Sequence, residues 1–247
     1  MTIPLADEAA ARAELAACYR LAARAGLDDG IYAHISLRVP GHDDHFLINP
    51  FGLHFAEITA SNLAKVDGQG ELLADPAGLG INRAGFVIHS ALHQARPDLH
   101  CVMHTHTVAG MTLAASADGL LPLTQHAMRF HGRIGYHDYE GIAVDLDERA
   151  RLARDLGPHD ALVLRNHGLI TAGPSVAHAY DLMVFLERAA EAQWRILAAG
   201  APLALPSPQA AQRTADLFAQ PRRGAVQRSW QALLRELERE EGTGYRA

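Results

Sequence analysis

Cysteine is scarce in this sequence. Cys18 and Cys101 are the two present, too few for a disulfide framework, and both stand among apolar neighbours that suit buried free thiols. That scarcity points to a reducing, cytoplasmic setting. Positive charge is not in excess either: 22 Lys and Arg stand against 28 Asp and Glu, a formal net charge of -6. Without a basic block there is no footprint for a phosphate backbone, so no nucleic-acid partner is expected. No apolar run reaches about 18 residues. The first residues, Met1-Thr2-Ile3-Pro4-Leu5, carry neither a basic n-region nor an apolar h-region, so neither a membrane span nor a leader is expected. What the chain does have is a globular balance, 49% hydrophobic and 20% charged over 247 residues, enough to bury a substantial core. It also has 15 histidines, and imidazole is both the commonest metal ligand and the side chain that titrates near neutrality.

Helical spacing runs from residue 7 to 25, with Gly26 placed for a left-handed C-cap. Ile31 to Val39 and Phe46 to Asn49 are β-prone and flank the turn Pro40-Gly41-His42-Asp43-Asp44, a hairpin pattern. A second pair, Ala64 to Val66 and Glu71 to Leu73, flanks Asp67-Gly68-Gln69-Gly70, so the sheet begins antiparallel. A loop at 75–82 enters a helix near Arg83 to Gln94. A strand is expected at Leu99 to His106, a helix at Val108 to Ala117, a loop over Asp118 to Gly132 and a strand near Arg133 to Tyr139. A helix at Asp147 to Leu156, strands at Ala161 to Leu164 and Leu169 to Ala172, and a long helix opened by Pro174 and stopped by Gly200 complete the pattern. Residues 1–200 read as one domain. Residues 201–247 read as a stiff Pro-rich linker and a helical tail, Gln209 to Glu241, whose amphipathic face suits packing on a neighbour or a subunit.

His104 and His106 lie two apart in Cys101-Val-Met-His-Thr-His-Thr107, and the strand period of two sends both to one face. A metal needs a further ligand. His167, at a strand end where Gly168 permits a sharp turn, is the best-placed candidate. Three neutral imidazoles with open positions suit catalytic zinc and also accept Fe(II) or Mn(II). His89 and His93 form an i,i+4 pair, read as two polar residues on one helix face because no Glu stands between them and no third ligand is evident. His42 and His45 belong to a turn and are expected in solvent.

The succession Gly30-Ile-Tyr-Ala-His-Ile-Ser-Leu-Arg38, Ile48-Asn-Pro-Phe-Gly52, Asn82-Arg-Ala-Gly-Phe86, Arg96-Pro-Asp98, His104-Thr-His106 and Arg165-Asn-His-Gly168 resembles the class II aldolase/adducin family over roughly residues 10 to 200. The resemblance implies an α/β fold, three-layer α/β/α with a central, mainly antiparallel sheet. It also implies a homotetramer and a metal held by His104, His106 and His167. The departures are informative. Sugar-phosphate aldolases of the family carry a catalytic acid where Gly85 stands here, and a small-residue phosphate cradle where His34 and Phe51-Gly52 stand. The Asn-x-Ala-Gly-Phe form resembles the adducin-head branch. His34, Gly52 and Arg83 are therefore the candidate substrate-binding residues, with Arg83 either clamping a carboxylate or pairing with a surface acid. His126 falls near the place of the family's proton-donating Tyr; with Arg129 and His131 it forms either proton-transfer machinery or a solvated loop.

The expected function is a metal-dependent lyase acting by retro-aldol cleavage or decarboxylation on a small hydroxy- or keto-carboxylate, through a metal-stabilised enolate. The alternatives are an Fe(II)-dependent oxygenase on the same scaffold and a non-catalytic, adducin-like oligomeric module.

Overall fold

The protein is described by a computed structural model over residues 6–141, 148–220 and 224–247. Eight strands form one sheet: β1 (His34–Arg38), β2 (His45–Ile48), β3 (Ala64–Asp67), β4 (Leu72–Ala74), β5 (Cys101–Thr105), β6 (Gly135–His137), β7 (Ala161–Leu164) and β8 (Gly168–Gly173). Their order is β4-β3-β2-β1-β5-β8-β7-β6. Every neighbouring pair is antiparallel except β6 with β7. Alternation along the strands assigns the two faces. Ile35, Leu37, Cys101 and Met103 enter one apolar cluster, while Val102, Leu162 and Ile170 enter another. The first cluster is closed by α1 (Glu8–Arg24), α3 (Val108–Ala114), α6 (Val176–Ala198) and α8 (Ala225–Glu241). The second lies under α2 (Arg83–Ala95) and α5 (Glu148–Leu156). This is the expected α/β/α sandwich.

Local chemistry fixes the helix starts. Asp7, Asn82, Thr107 and Ser175 each accept a backbone N–H of the first turn through the side chain, a contact that stabilises a helix by about 1 kcal/mol. The Ser175 cap corrects the expected role of Pro174, because the helix starts at Val176, after the cap. The expected loop 118–132 contains a short helix, α4 (Gln125–Met128), which packs on α6. The tail contains α7 (Pro208–Ala219) and α8. Gly224 precedes α8 in the left-handed region, φ 72°. The apolar face of α8 is covered within the chain: Trp230 and Leu237 enter the main core, and Ala60 N–H donates to the Tyr245 carbonyl. Both cysteines are free and buried. Among the described residues no helix is long and apolar enough to cross a membrane. Of the expected helix 147–156, residue 147 lies outside the described residues.

Candidate metal centre

The β5 alternation turns Cys101 and Met103 to the α1 face and His104 to the α2 face, with His106 following just past the strand. β8 runs antiparallel beside β5, pairing Thr105 with Leu169. The turn before β8 places Asn166 at φ 57°, a left-handed conformation that Asn tolerates better than most residues. Gly168 is required here. A Cβ on it would lie 2.4 Å from the Thr105 carbonyl oxygen and 3.1 Å from the His106 ring, so only glycine lets the turn carry His167 onto the β5 histidines.

Nε2 of His167 lies 3.0 Å from Nε2 of His106 and 3.3 Å from Nε2 of His104. Ligand nitrogens around a tetrahedral ion at 2.0–2.1 Å stand about 3.4 Å apart, so the three atoms suit one divalent ion. Their tautomers suit it too. Nδ1 of His104 donates to the Leu169 carbonyl at 3.0 Å, and Nδ1 of His106 lies 3.1 Å from an Asp29 carboxylate oxygen, which leaves both Nε2 atoms as lone pairs. Burial lowers His104 well below the usual imidazole range, and the neighbouring imidazoles add to the shift. Burial and then His106 lower His167 to about 4. These two rings are therefore neutral and ready to ligate at neutral pH.

The three histidines sit in a cavity of about 390 Å³, also lined by Asp29, Tyr32, His34, Asn82, Gly85 and Asn166. His34 is paired with His104 in the β1–β5 ladder, and the ring centroids are 5.0 Å apart. The departure at Gly85 now has a physical reading: a Cβ there would lie 1.9 Å from His34 Nε2, so the imidazole occupies the room that any larger residue 85 would need.

The remaining sequence candidates lie elsewhere. Arg83 is 73% exposed and pairs with Glu71 at 3.6 Å, the surface-acid alternative. Gly52 does not line the cavity. Its neighbour Phe51 does not line it either, though its ring centroid is 6.1 Å from that of the lining residue Tyr32. His126 stacks on Phe185 at 4.6 Å, and Arg129 is bound to Asp181 at 2.8 Å, so both join α4 to α6 rather than line this cavity. His42 and His45 stack on each other at 4.4 Å. Asp29 and Asn166 escaped sequence reasoning, because their roles come from contacts that no local spacing announces. His89 and His93, read as a plain polar face, are fully buried and hydrogen bond into β1.

A mostly antiparallel sheet between helical layers, with three convergent imidazoles at one cavity, defines a class. Residues 13–194 match the Class II Aldolase and Adducin N-terminal domain family, and the chain belongs to it. An aldolase II superfamily protein from Pseudomonas syringae shares 52% identity, with a TM-score of 0.93, over 100% of this chain and 98% of that one. An L-fuculose 1-phosphate aldolase from Glaciozyma antarctica shares 28% identity at a TM-score of 0.87, over 100% of this chain and 97% of that one. Alpha-adducin from Rattus norvegicus is 47% identical over 77% of this chain, which spans only 26% of that protein.

Proposed function

We propose that this chain is a metal-dependent carbon–carbon lyase, cleaving a small hydroxy- or keto-carboxylate by a retro-aldol step or decarboxylation. One observation carries the proposal: three convergent imidazole nitrogens in a cavity of about 390 Å³ whose lining, among the described residues, includes no Lys or Arg. A phosphate dianion calls for a cationic side chain or a nest of many N–H donors, and among the described residues the lining has no cationic side chain. A carboxylate needs fewer, and the Asn82 and Asn166 amides are at hand. Likeness to a fuculose-phosphate aldolase at 28% identity over the whole chain supports lyase chemistry rather than that substrate.

His104, His106 and His167 would hold the ion, zinc in the first place, with Fe(II) or Mn(II) accepted by the same donors. When bound, it supplies Lewis-acid polarisation of the oxygens next to the scissile bond. The protein does the rest. Asp29 and the Leu169 carbonyl orient two of the rings, and Tyr32, Met111 and Tyr139 wall the mouth. His34 stands beside the bound ligand as the polar group that meets it. Arg83 and His126 have no part in this mechanism within one chain. We further propose a cytoplasmic homotetramer, the assembly its family resemblance implies; the two buried thiols fit the compartment.

The test is turnover by zinc-replete protein on panels of hydroxy- and keto-acids and of ketose phosphates. Cleavage of an acid, lost in His167→Ala, is expected. Efficient cleavage of a ketose phosphate would overturn the proposal. A zinc-loaded protein inert to both panels would favour a non-catalytic role, for which the adducin similarity is the specific support.

A further inference from the structure

Behind His34 runs an unbroken buried line of hydrogen bonds. Nδ1 of His34 lies 2.8 Å from Nε2 of His89, and Nδ1 of His89 lies 2.6 Å from Oγ of Ser36. The same Oγ lies 2.7 Å from Nε2 of His93, whose Nδ1 lies 3.0 Å from the carbonyl oxygen of Leu99. The far end sets the direction of every bond. A carbonyl oxygen only accepts, so Nδ1 of His93 carries the proton. Burial lowers His93 to about 3, so the ring is neutral and its Nε2 is a bare lone pair. Ser36 then donates to His93 and has only its lone pairs left for His89. It follows that Nδ1 of His89 donates to Ser36, that Nε2 of His89 accepts, and that Nδ1 of His34 donates to it. His34 and His89 are buried, and among the described residues no carboxylate hydrogen bonds to either ring, so neither carries a second proton.

Nε2 of His34 is thus left without a proton. It has no hydrogen-bond partner among the described residues, yet it is not among the unpartnered atoms closed off from water, and its ring lines the cavity. Nor does it join the metal-ligand cluster, which comprises His104, His106 and His167. The line ends on a main-chain carbonyl, which accepts a hydrogen bond but does not relay a proton, so it orients His34 rather than conducting protons to solvent.

We propose that His89, Ser36 and His93 are positioning residues that hold His34 in its Nδ1–H tautomer, so that a bare Nε2 meets the ligand and selects one bearing a hydroxyl donor. An N–H at that place would favour a keto or carboxylate oxygen; a lone pair favours a hydroxy acid over a keto acid or an ether. The ligand class rests on the lyase proposal. The tautomer does not.

Two measurements test this separately. In chelator-treated protein labelled with [15N]histidine at pH 7.5, long-range 15N–1H imidazole spectra are expected to show His34, His89 and His93 as Nδ1–H tautomers, the rarer form of neutral histidine in water. A cationic or Nε2–H His34 would overturn the proposal without touching the lyase chemistry. In zinc-loaded protein, calorimetric affinities for lactate and its O-methyl ether give a preference ratio in which the ion's own bias is common to all variants. Ser36→Ala is expected to lower that ratio by about threefold to tenfold, the worth of one hydrogen bond, with zinc content unchanged. Ser36→Thr, which keeps the hydroxyl, is expected to restore it. An unchanged ratio in Ser36→Ala, or binding of neither acid by the wild type, would overturn the selection of a hydroxyl. Turnover of ketose phosphates, by contrast, bears on the lyase proposal alone.

Discussion

Acidification should unfold this protein early, and His93 sets the scale. The ring is completely buried against Phe46, with centroids 4.5 Å apart, and its pKa is lowered to about 3. An unfolded chain binds the same proton near pH 6.5. Because the folded pKa is the lower one, the stability this residue confers is complete above pH 6.5 and falls as the pH drops below it. At pH 5.5 the unfolded histidine is about nine-tenths protonated and the folded one is not. The difference is about 1.4 kcal/mol relative to pH 7.5, a sizeable share of a typical 5–15 kcal/mol. His34, His89 and His104 act in the same direction. Glu14, Asp160 and Glu187, raised by burial, oppose them. His93→Gln isolates the one residue, since it removes the titration and keeps a polar side chain. Urea unfolding of chelator-treated protein at fixed concentration, at pH 7.5, 6.5 and 5.5, should show wild-type stability falling by about 1.4 kcal/mol more than that of the variant. An identical loss in both proteins would refute the placement of His93 as a buried neutral ring.

Elemental analysis should find one divalent metal per chain, abolished in the His104→Ala, His106→Ala, His167→Ala triple variant while circular dichroism stays native. Gly168→Ala should destabilise by about 1–3 kcal/mol and weaken zinc binding in a chelator competition, since its Cβ would meet the Thr105 carbonyl oxygen at 2.4 Å; unchanged affinity would contradict the close approach. Gly85→Ala gains about 1 kcal/mol of helix propensity but displaces His34, so it should be net destabilising in thermal melts, and His34→Ala in the same chain should reverse the loss. Light scattering should give about four times the 26.7 kDa chain mass; a monomer mass would remove the proposed tetramer.

The ordered motifs made the layers legible, because period-two alternation in Cys101–Thr105 and the turn Pro40-Gly41-His42-Asp43-Asp44 are local facts of sequence. The convergence of His104, His106 and His167 followed from the same alternation and from a glycine at the right turn. Residues whose partners come from distant strands stayed hidden. The spacing of His89 and His93 says helix face; that the face meets Ser36 depends on β1 lying beside β5, a pairing of segments far apart in the chain. Arg83 carried the right chemistry for a carboxylate and found Glu71 instead, since its position at the exposed start of α2 turns it to solvent. The 118–132 segment read as a loop because a single turn of helix is shorter than any usable periodicity.

His106 and His167 are 61 residues apart, and that separation orders events as the chain folds. Closing a loop of this length costs about 4 kcal/mol of chain entropy before any contact repays it. The β5–β8 ladder repays it, not the ion. Before β8 docks, the nascent or refolding chain offers a metal only the weak pair His104 and His106, so tight uptake must follow the long-range strand pairing rather than nucleate it. Zinc capture would then serve as a clock for one non-local step of folding, the docking of β8 on β5.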